Sequence, residues 1–295
     1  AMTVLSAVRR YCLSAVLLGL TAHAVAAPAP LSLDVYNPGA SAIFPVSSVL
    51  VSGEKDAILV DAQFSRAQAQ QVVDKIRASG KHLTTIYISH GDPDYYFGLD
   101  TLTRAFPDAK VLASAPTVAH IEQTKDAKLA FWGPQMGADV PSKLIVPKVM
   151  KGNTLELEGN ELDIVGLTGR QPERTFVWIP SLKAVVGGVV VADNLHVWMA
   201  DTQTPQSHRQ WLSTLKRIAS LQPDIVVPGH YLGDNDRSLK SVNFTRDYIK
   251  AFDEETLKAK SADELIAAMK KRYPDLGEEA SLELSAKVAK GEMKW

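Results

Sequence analysis

The segment that decides the fold reads His90-Gly91-Asp92-Pro93-Asp94-Tyr95-Tyr96-Phe97-Gly98, and it directly follows the apolar run Thr85-Ile86-Tyr87-Ile88-Ser89. An apolar run of this length, bounded by Gly and Pro, predicts a strand. A strand that ends in alternating His and Asp can present those side chains to a metal ion. The segment therefore predicts a strand, a ligand-bearing loop and a helix in direct succession.

Two groups of strands, each accompanied by helices, can be recognised along the chain. The first group has predicted strands at 33–36, 44–52, 57–61, 84–89 and 110–114, and predicted helices at 65–79, from about 99, and at 116–132. The second group has predicted strands at 154–158, 162–166, 175–179, 184–192 and 224–227, and predicted helices at 205–221, 238–258, 262–272 and 278–290. This order predicts an α/β fold in which sheets pack face to face with helices outside.

Five short motifs, in the expected order, resemble the metallo-β-lactamase superfamily. They are Leu59-Val60-Asp61, a strand ending in Asp; His90 to Asp94, where the family has His-x-His-x-Asp-His; Gly166-Leu167-Thr168, for Gly-His-Thr; Gly187-Gly188, for Gly-Asp; and Pro228-Gly229-His230, for the closing Pro-Gly-His. The resemblance covers most of residues 33–235. It implies a four-layer αβ/βα sandwich in which Asp61 braces the ligand loop from below.

The resemblance also implies a site for two metal ions, but four of its ligand positions are altered here. Asp92 and Tyr95 stand where the family has His, Leu167 stands where it has His, and Gly188 stands where it has Asp. Leu and Gly offer no metal-binding side chain, and Tyr binds only as a phenolate, which its ordinary pKa near 10 disfavours. A conventional dinuclear zinc centre is therefore not expected.

The remaining donors predict at most one metal ion. The expected ligands are His90, Asp92, Asp94 and His230, with Asp92 binding through oxygen. Two imidazoles and two carboxylates suit zinc, and they also accept iron or manganese. We expect one divalent metal, zinc first, with a metal-free site as the alternative.

Without a metal, another cation has to balance the close carboxylates of the motif loop. Arg170 and Arg174 follow Leu167 in the segment that supplies a ligand in the family. A guanidinium can form a bidentate pair with a carboxylate, so either arginine could replace the ion. The alternative for both is a solvated loop charge.

Three further side chains are candidates for the pocket. Tyr95 and Tyr96 either form an aromatic wall for a substrate or fill the volume that a lost metal leaves. His196, in the loop after Gly187-Gly188, is either an additional ligand or a structural histidine packed by Trp198.

The resemblance implies hydrolysis of an ester, lactone or amide in a small molecule, with Asp94 and His230 as catalytic residues. A metal would lower the pKa of a bound water and polarise the carbonyl that the resulting hydroxide attacks. Two alternatives remain open. One is a non-catalytic, metal-free binding protein on the same fold, and the other is a mononuclear iron enzyme of sulfur oxidation.

Charge and the N-terminal segment bear on partners and location. The formal net charge is −1 and no basic block stands out, so a nucleic-acid partner is not expected. A signal peptide is predicted over residues 1–26. The pattern consists of the basic pair Arg9-Arg10, the apolar residues 13–20 and the small residues of a cleavage site at Ala24-Val25-Ala26. We expect an exported protein, periplasmic or secreted and free of the membrane after cleavage.

Residues 27–295 are predicted to form a single domain with a C-terminal helical extension at about 238–295, and the oligomeric state stays open.

We expect the exported protein to begin near Ala27 and to fold without disulfides, because Cys12 is the only cysteine and lies within the predicted signal peptide. Intact-mass measurement on protein recovered from outside the cytoplasm checks this. A mass that still includes residues 2–26 would refute the prediction.

Overall fold

The computed structural model describes residues 21–25 and 27–295 of the chain. The predicted signal peptide lies outside the described residues except for 21–25, which have no regular secondary structure. Cys12 also lies outside them. Within the described residues, no helix is both long enough and apolar enough to cross a membrane.

In the described part of the chain, six strands form the first sheet, and their spatial order follows their order in the chain. They are β1 (Ser32–Tyr36), β2 (Ser48–Ser52), β3 (Asp56–Val60), β4 (His82–Ile88), β5 (Lys110–Ala113) and β6 (Lys148–Val149). Strands β1 to β3 pair antiparallel, and β3 to β6 pair parallel. Because parallel strands end at one edge of a sheet, the segments that follow β3 and β4 lie side by side.

The second half of the described chain contributes seven strands. They are β7 (Thr154–Leu157), β8 (Asn160–Val165), β9 (Phe176–Ile179), β10 (Ala184–Val186), β11 (Ala192–Asp193), β12 (Ile225–Val226) and β13 (His230–Tyr231). The second sheet has the order β12-β10-β9-β8-β7, and β11 pairs with β13 in a separate parallel ladder. That ladder places His230 opposite Ala192.

Two predicted strands are wrong in extent. The strand predicted over 184–192 stops at Val186, because Gly187 and Gly188 have φ angles of 67° and 81°, which a continuing strand cannot adopt. The strand predicted over 44–52 begins only at Ser48. The break after Val186 turns the chain away from the second sheet and toward β13.

The helices lie on the outer faces of the two sheets. They are α1 (Arg66–Ser79), α2 (Pro93–Tyr96), α3 (Leu99–Ala105), α4 (Ala115–Met136), α5 (Pro205–Ser220), α6 (Lys240–Lys258), α7 (Ala262–Arg272) and α8 (Glu279–Ala289). Local sequence fixes their starts. At α1, for example, Ser65 and Gln68 exchange two hydrogen bonds of 3.1 Å in a capping box. Helices α6 to α8 occupy the predicted C-terminal extension.

Three clusters of buried apolar side chains separate the four layers. Ile86 and Leu102 belong to the cluster between the first sheet and α1, α3 and α4. Val60 and Val177 belong to the cluster between the two sheets. Trp211 belongs to the third, which joins the second sheet to α5, α6, α7 and α8. The predicted α/β class and four-layer αβ/βα sandwich are therefore confirmed.

A buried hydrogen-bond bridge joins the ends of β3, β4 and β10 beneath the motif loop. The Asp61 carboxylate accepts from the Ser89 N–H at 2.8 Å and from the Ser89 hydroxyl at 2.6 Å. The Ser89 hydroxyl in turn accepts from the Gly188 N–H at 2.7 Å. Burial raises the pKa of Asp61 to about 7, although the Ser89 hydrogen bonds oppose that rise. Asp61 thus has the bracing position that the family resemblance implied.

Removal of the Ser89 hydroxyl should destabilise the fold more than an ordinary Ser→Ala change. Ser89→Ala leaves the Gly188 N–H and one Asp61 oxygen buried without a partner, so we expect the free energy of unfolding to fall by about 2–3 kcal/mol. Urea unfolding checks this, with Ser220→Ala as the control, because that exposed hydroxyl bonds only the Arg217 carbonyl at the end of α5. The control should change by less than about 0.5 kcal/mol. Equal effects in both variants would contradict the bridging role.

Candidate functional site

The motif loop after β4 is held in place by close backbone contacts. Pro93 opens α2, where its missing N–H costs nothing. Gly98 ends the loop, and its N–H donates to the Gln63 carbonyl at 2.8 Å. Any side chain at Gly98 would collide with the Ala62 carbonyl oxygen. Only Gly therefore fits at this position, and the loop is clamped against the end of β3.

Asp94 and His230 form a direct pair. His230 Nε2 lies 2.6 Å from Asp94 Oδ2, and both side chains are mostly buried. Asp94 comes from α2, and His230 comes from β13, 136 positions later in the chain. The two predicted catalytic residues are thus brought into contact.

His90 and Asp92 form a second pair. His90 Nε2 lies 3.2 Å from Asp92 Oδ2, and His90 Nδ1 lies 3.2 Å from the Glu173 carbonyl oxygen. Burial acts to lower the pKa of His90, but the Asp92 carboxylate outweighs it and holds that pKa above its ordinary value. Burial acts to raise the pKa of Asp92, but the charge of the adjacent His90 holds it well below its ordinary range. The pair therefore favours a protonated His90 beside an ionised Asp92.

Tyr95 lies between the two histidines. Its ring centroid is 5.1 Å from that of His90 and 5.7 Å from that of His230, with both contacts edge to face. Its hydroxyl donates to the Gly188 carbonyl at 3.0 Å. Burial raises the pKa of Tyr95 well above its ordinary value, so the phenol stays neutral. The fully buried ring keeps the two His–Asp pairs apart.

The four predicted metal ligands are accordingly distributed over two separate pairs. Among the residues that the structure describes, no group of three or more His, Cys, Asp or Glu side chains is placed to hold a metal ion. The predicted ligand set, in this arrangement, does not fit a single ion. Whether the protein takes up zinc, iron or manganese stays a prediction.

Two of the altered family positions contribute no ligand to the site. Leu167 is half-buried and packs against the cluster between the two sheets. Gly188 has φ 81°, and a side chain there would collide with the Thr175 carbonyl oxygen. The neighbouring side chain of Val189, by contrast, lines the pocket described next. A carboxylate ligand cannot be placed at Gly188 without moving this backbone.

A small pocket opens above the Asp94–His230 pair, with a cavity volume of about 50 Å³. Asp92, Asp94 and His230 form part of its lining. Its mouth is aromatic and is lined by Phe44, Trp132, Trp198 and Trp295. The rings contact one another, with centroids 4.9 Å apart for Phe44 and Trp132 and 5.4 Å apart for Trp198 and Trp295.

Asp201 and Lys128 bring opposite charges to the pocket rim. Asp201 accepts hydrogen bonds from the indole N–H groups of Trp198 and Trp295 at 3.0 and 2.9 Å. The neighbouring rings, which displace water, and the charge of Asp92 raise the pKa of Asp201 above its ordinary value, although part of the residue is exposed to solvent. The Lys128 ammonium lies 3.9 Å from the centre of the Trp295 ring. The pocket lining therefore includes the Lys128 ammonium and the carboxyl groups of Asp92 and Asp201.

Sequence reasoning located part of this pocket and missed part of it. The loop that follows Gly187-Gly188 and contains His196 and Trp198 was expected near the site. Lys128 in α4 and Trp295 were missed. Their positions carry no local motif, and only the packing of distant segments brings them together.

The candidate pocket residues have different positions in the structure. His196 lines the pocket and is buried, and its Nδ1 lies 2.9 Å from the Tyr248 hydroxyl. Burial lowers the pKa of His196 to about 4, which keeps it neutral. Tyr95 and Tyr96 are fully buried in the cluster beneath the first sheet, so they fill volume and do not form a substrate wall.

Neither candidate arginine pairs with the carboxylates of the motif loop. Arg174 is buried, and its guanidinium carbon lies 4.5 Å above the Trp211 ring, outside the pocket. Arg170 is exposed. The described arginine ion pairs belong to Arg104, Arg246 and Arg272. The carboxylates of the loop contact imidazoles instead, Asp92 with His90 and Asp94 with His230.

Solved structures and curated proteins with similar sequences or folds agree with this architecture. The chain is similar to the metallo-beta-lactamase family protein TTHA1429 from Thermus thermophilus, with a TM-score of 0.62 and 16% identity, over 88% of this chain and 92% of that one. It is also similar to a metallo-beta-lactamase from Pontibacter korlensis, with a TM-score of 0.55 and 16% identity, over 77% and 96% of the two chains. At these identities the likeness shows the fold alone.

A 73-residue stretch is 36% identical to the Uncharacterized protein YobT of Bacillus subtilis (strain 168), which corresponds to 25% of this chain and 31% of YobT. The chain thus matches about a third of that relative's length. A family model described as the metallo-beta-lactamase superfamily matches residues 42–230, which is more than half of the chain. With the fold and the motif order in agreement, the chain belongs to the metallo-beta-lactamase superfamily.

Proposed function

We propose that the protein is an exported hydrolase that cleaves an ester, lactone or amide bond in a small molecule by acid–base chemistry at the Asp94–His230 pair. The observation that carries this proposal is the 2.6 Å contact between these residues at the wall of an aromatic pocket. A carboxylate that accepts a hydrogen bond from one imidazole nitrogen leaves the other nitrogen as a base. Hydrolysis is the reaction that the family membership favours.

The proposed reaction needs one water molecule and forms no covalent bond between substrate and enzyme. His230 Nδ1 takes a proton from water while the resulting hydroxide attacks the carbonyl carbon. Asp94 holds the imidazole in orientation and stabilises its positive charge. His230 then returns the proton to the leaving alcohol or amine as the bond to the carbonyl carbon breaks. The products are a carboxylic acid and that alcohol or amine.

Two further features of the pocket support the proposal. The Lys128 ammonium lies at the rim and can stabilise the negative oxygen of the tetrahedral intermediate. The rings of Trp132, Trp198 and Trp295 offer flat apolar contact to the rest of the substrate. The cavity of about 50 Å³ accepts only a small acyl group. We therefore expect substrates with a short acyl chain and a larger apolar leaving group.

Replacement of either member of the pair should abolish most of the activity. We expect His230→Gln and Asp94→Asn to lower kcat for 4-nitrophenyl acetate by roughly 100-fold or more, because positioned acid–base catalysis contributes about that much. His82→Gln is the matched control, since that side chain is 70% exposed and lies at the start of β4, at the opposite end of the strand from the motif loop. Chelator-treated wild type should keep its rate. Loss of the rate on chelation, with recovery on adding zinc, would refute the metal-independent mechanism.

The main alternative is a binding protein without catalysis. Tyr95 supports it, because its ring lies between His90 and His230 and removes the place for a shared ion. The aromatic pocket beside the ring stays available to a ligand. Ligand-dependent stabilisation without turnover of any ester, lactone or amide would favour this alternative. Iron-dependent sulfur oxidation stays a prediction for which the donor arrangement gives no support.

Removing the Tyr95 ring should make the site accept a metal more readily. Tyr95→His places a third imidazole between His90 and His230, so we expect zinc affinity to rise at least about tenfold, the usual effect of one added coordinating or supporting group. Calorimetric titration with zinc measures this. Tyr96→Phe is the control, because Tyr96 is equally buried but its ring contacts Phe97, whereas the Tyr95 ring contacts His90 and His230. Unchanged affinity in a folded Tyr95→His variant would mean that Tyr95 is not what separates the ligands.

A further inference from the structure

A second concave site lies on the other side of the segment that carries Arg174. It is a groove of about 480 Å³ between α5 and residues 166–174. Four arginines line it, namely Arg170, Arg174, Arg209 and Arg217, and no Asp or Glu does. The whole chain has a net charge of −1, so this local excess of positive charge is not a general property of the surface.

The sequence of α5 builds one wall of the groove. Gln206, Arg209, Gln210, Ser213 and Arg217 recur at steps of three and four residues, so they share one helical face. The opposite face of α5 is buried in the third core cluster. The groove face therefore presents guanidinium, amide and hydroxyl groups, which donate hydrogen bonds, from a rigid element.

Arg174 indicates that this groove accommodates an anion. Its side chain is 7% exposed, and its Nε and Nη2 atoms are buried without a hydrogen-bond partner. Trp211 stacks beneath the guanidinium and fixes its plane. Asp92 and Asp201 attract it only from beyond ion-pair distance. A buried cation without a counter-charge at ion-pair distance is costly, and an anion in the groove would offset its charge.

We propose that this groove binds a phosphorylated small molecule. A guanidinium offers paired N–H donors that match two oxygens of one phosphoryl group, so several arginines favour a ligand with several such oxygens. The groove's limited volume favours a small molecule over a nucleic acid. Arg170, Arg209 and Arg217 are exposed and belong to the described residues without a carboxylate partner within 4 Å. They are therefore free to close on the ligand.

Inorganic pyrophosphate is the probe for this site. Calorimetric titration of the wild type at low ionic strength should give one bound pyrophosphate per chain. We expect Arg209→Gln/Arg217→Gln to weaken binding at least about tenfold, because charge-assisted hydrogen bonds are lost. Lys216→Gln is the matched control, since Lys216 is exposed on the same helix but does not line the groove. It should change the affinity by less than about twofold.

A charge-preserving variant distinguishes the paired hydrogen bonds of the arginines from a general electrostatic attraction of the anion. Arg209→Lys/Arg217→Lys keeps both charges but loses the paired donors, so we expect binding at least about threefold weaker than in the wild type. Citrate, a carboxylate anion of similar charge, should bind more weakly than pyrophosphate. The proposal is overturned if wild type does not bind pyrophosphate, if Lys216→Gln weakens binding as much as the double variant, or if citrate binds equally well. Both exposed arginines lie outside the core, so these variants should fold.

Discussion

The geometry of the site depends on the Ser89 hydroxyl, which is bonded to Asp61 on one side and to the Gly188 N–H on the other. These bonds tie β3, β4 and the break after β10 together, so one small side chain connects the two sheets at the edge where the pocket lies. The Gly188 carbonyl then accepts from Tyr95. The hydrogen-bond bridge beneath the motif loop therefore fixes the position of the Tyr95 ring between His90 and His230.

Much of the fold could be predicted from local patterns, because motif order and hydrophobic periodicity reflect strands and helices directly. The His90–Asp94 loop and Pro228-Gly229-His230 were correctly expected to meet. What local pattern could not supply was the role of Tyr95. An aromatic residue at that position can line a cavity or fill one, and the outcome depends on the hydrogen bond from its hydroxyl to the Gly188 carbonyl and on the missing side chain at Gly229, where a Cβ would lie 3.0 Å from that hydroxyl. These contacts join residues that are far apart in the chain, so local sequence patterns do not reveal them.

Arg170 and Arg174 are a second case in which local sequence did not determine the role of a residue. Their charge and their place after Leu167 suggested a cation that replaces a metal, but Arg174 stacks on Trp211 and is attracted by Asp92 only from beyond ion-pair distance. The result is a molecule with an acidic pocket on one side and a basic groove on the other. Residues 173 and 174 separate them, since the Glu173 carbonyl faces His90 while Arg174 lines the groove.

The placement of the tryptophans has a practical consequence. The chain has five, of which Trp132, Trp198 and Trp295 surround the pocket mouth, Trp211 lies under Arg174, and Trp178 lies in β9. Each region thus contains its own native spectroscopic reporter. Fluorotryptophan incorporation would yield a fluorine spectrum in which three resonances follow the pocket, one follows the groove and one serves as an internal reference. Occupancy of the two regions could then be followed separately in a single sample.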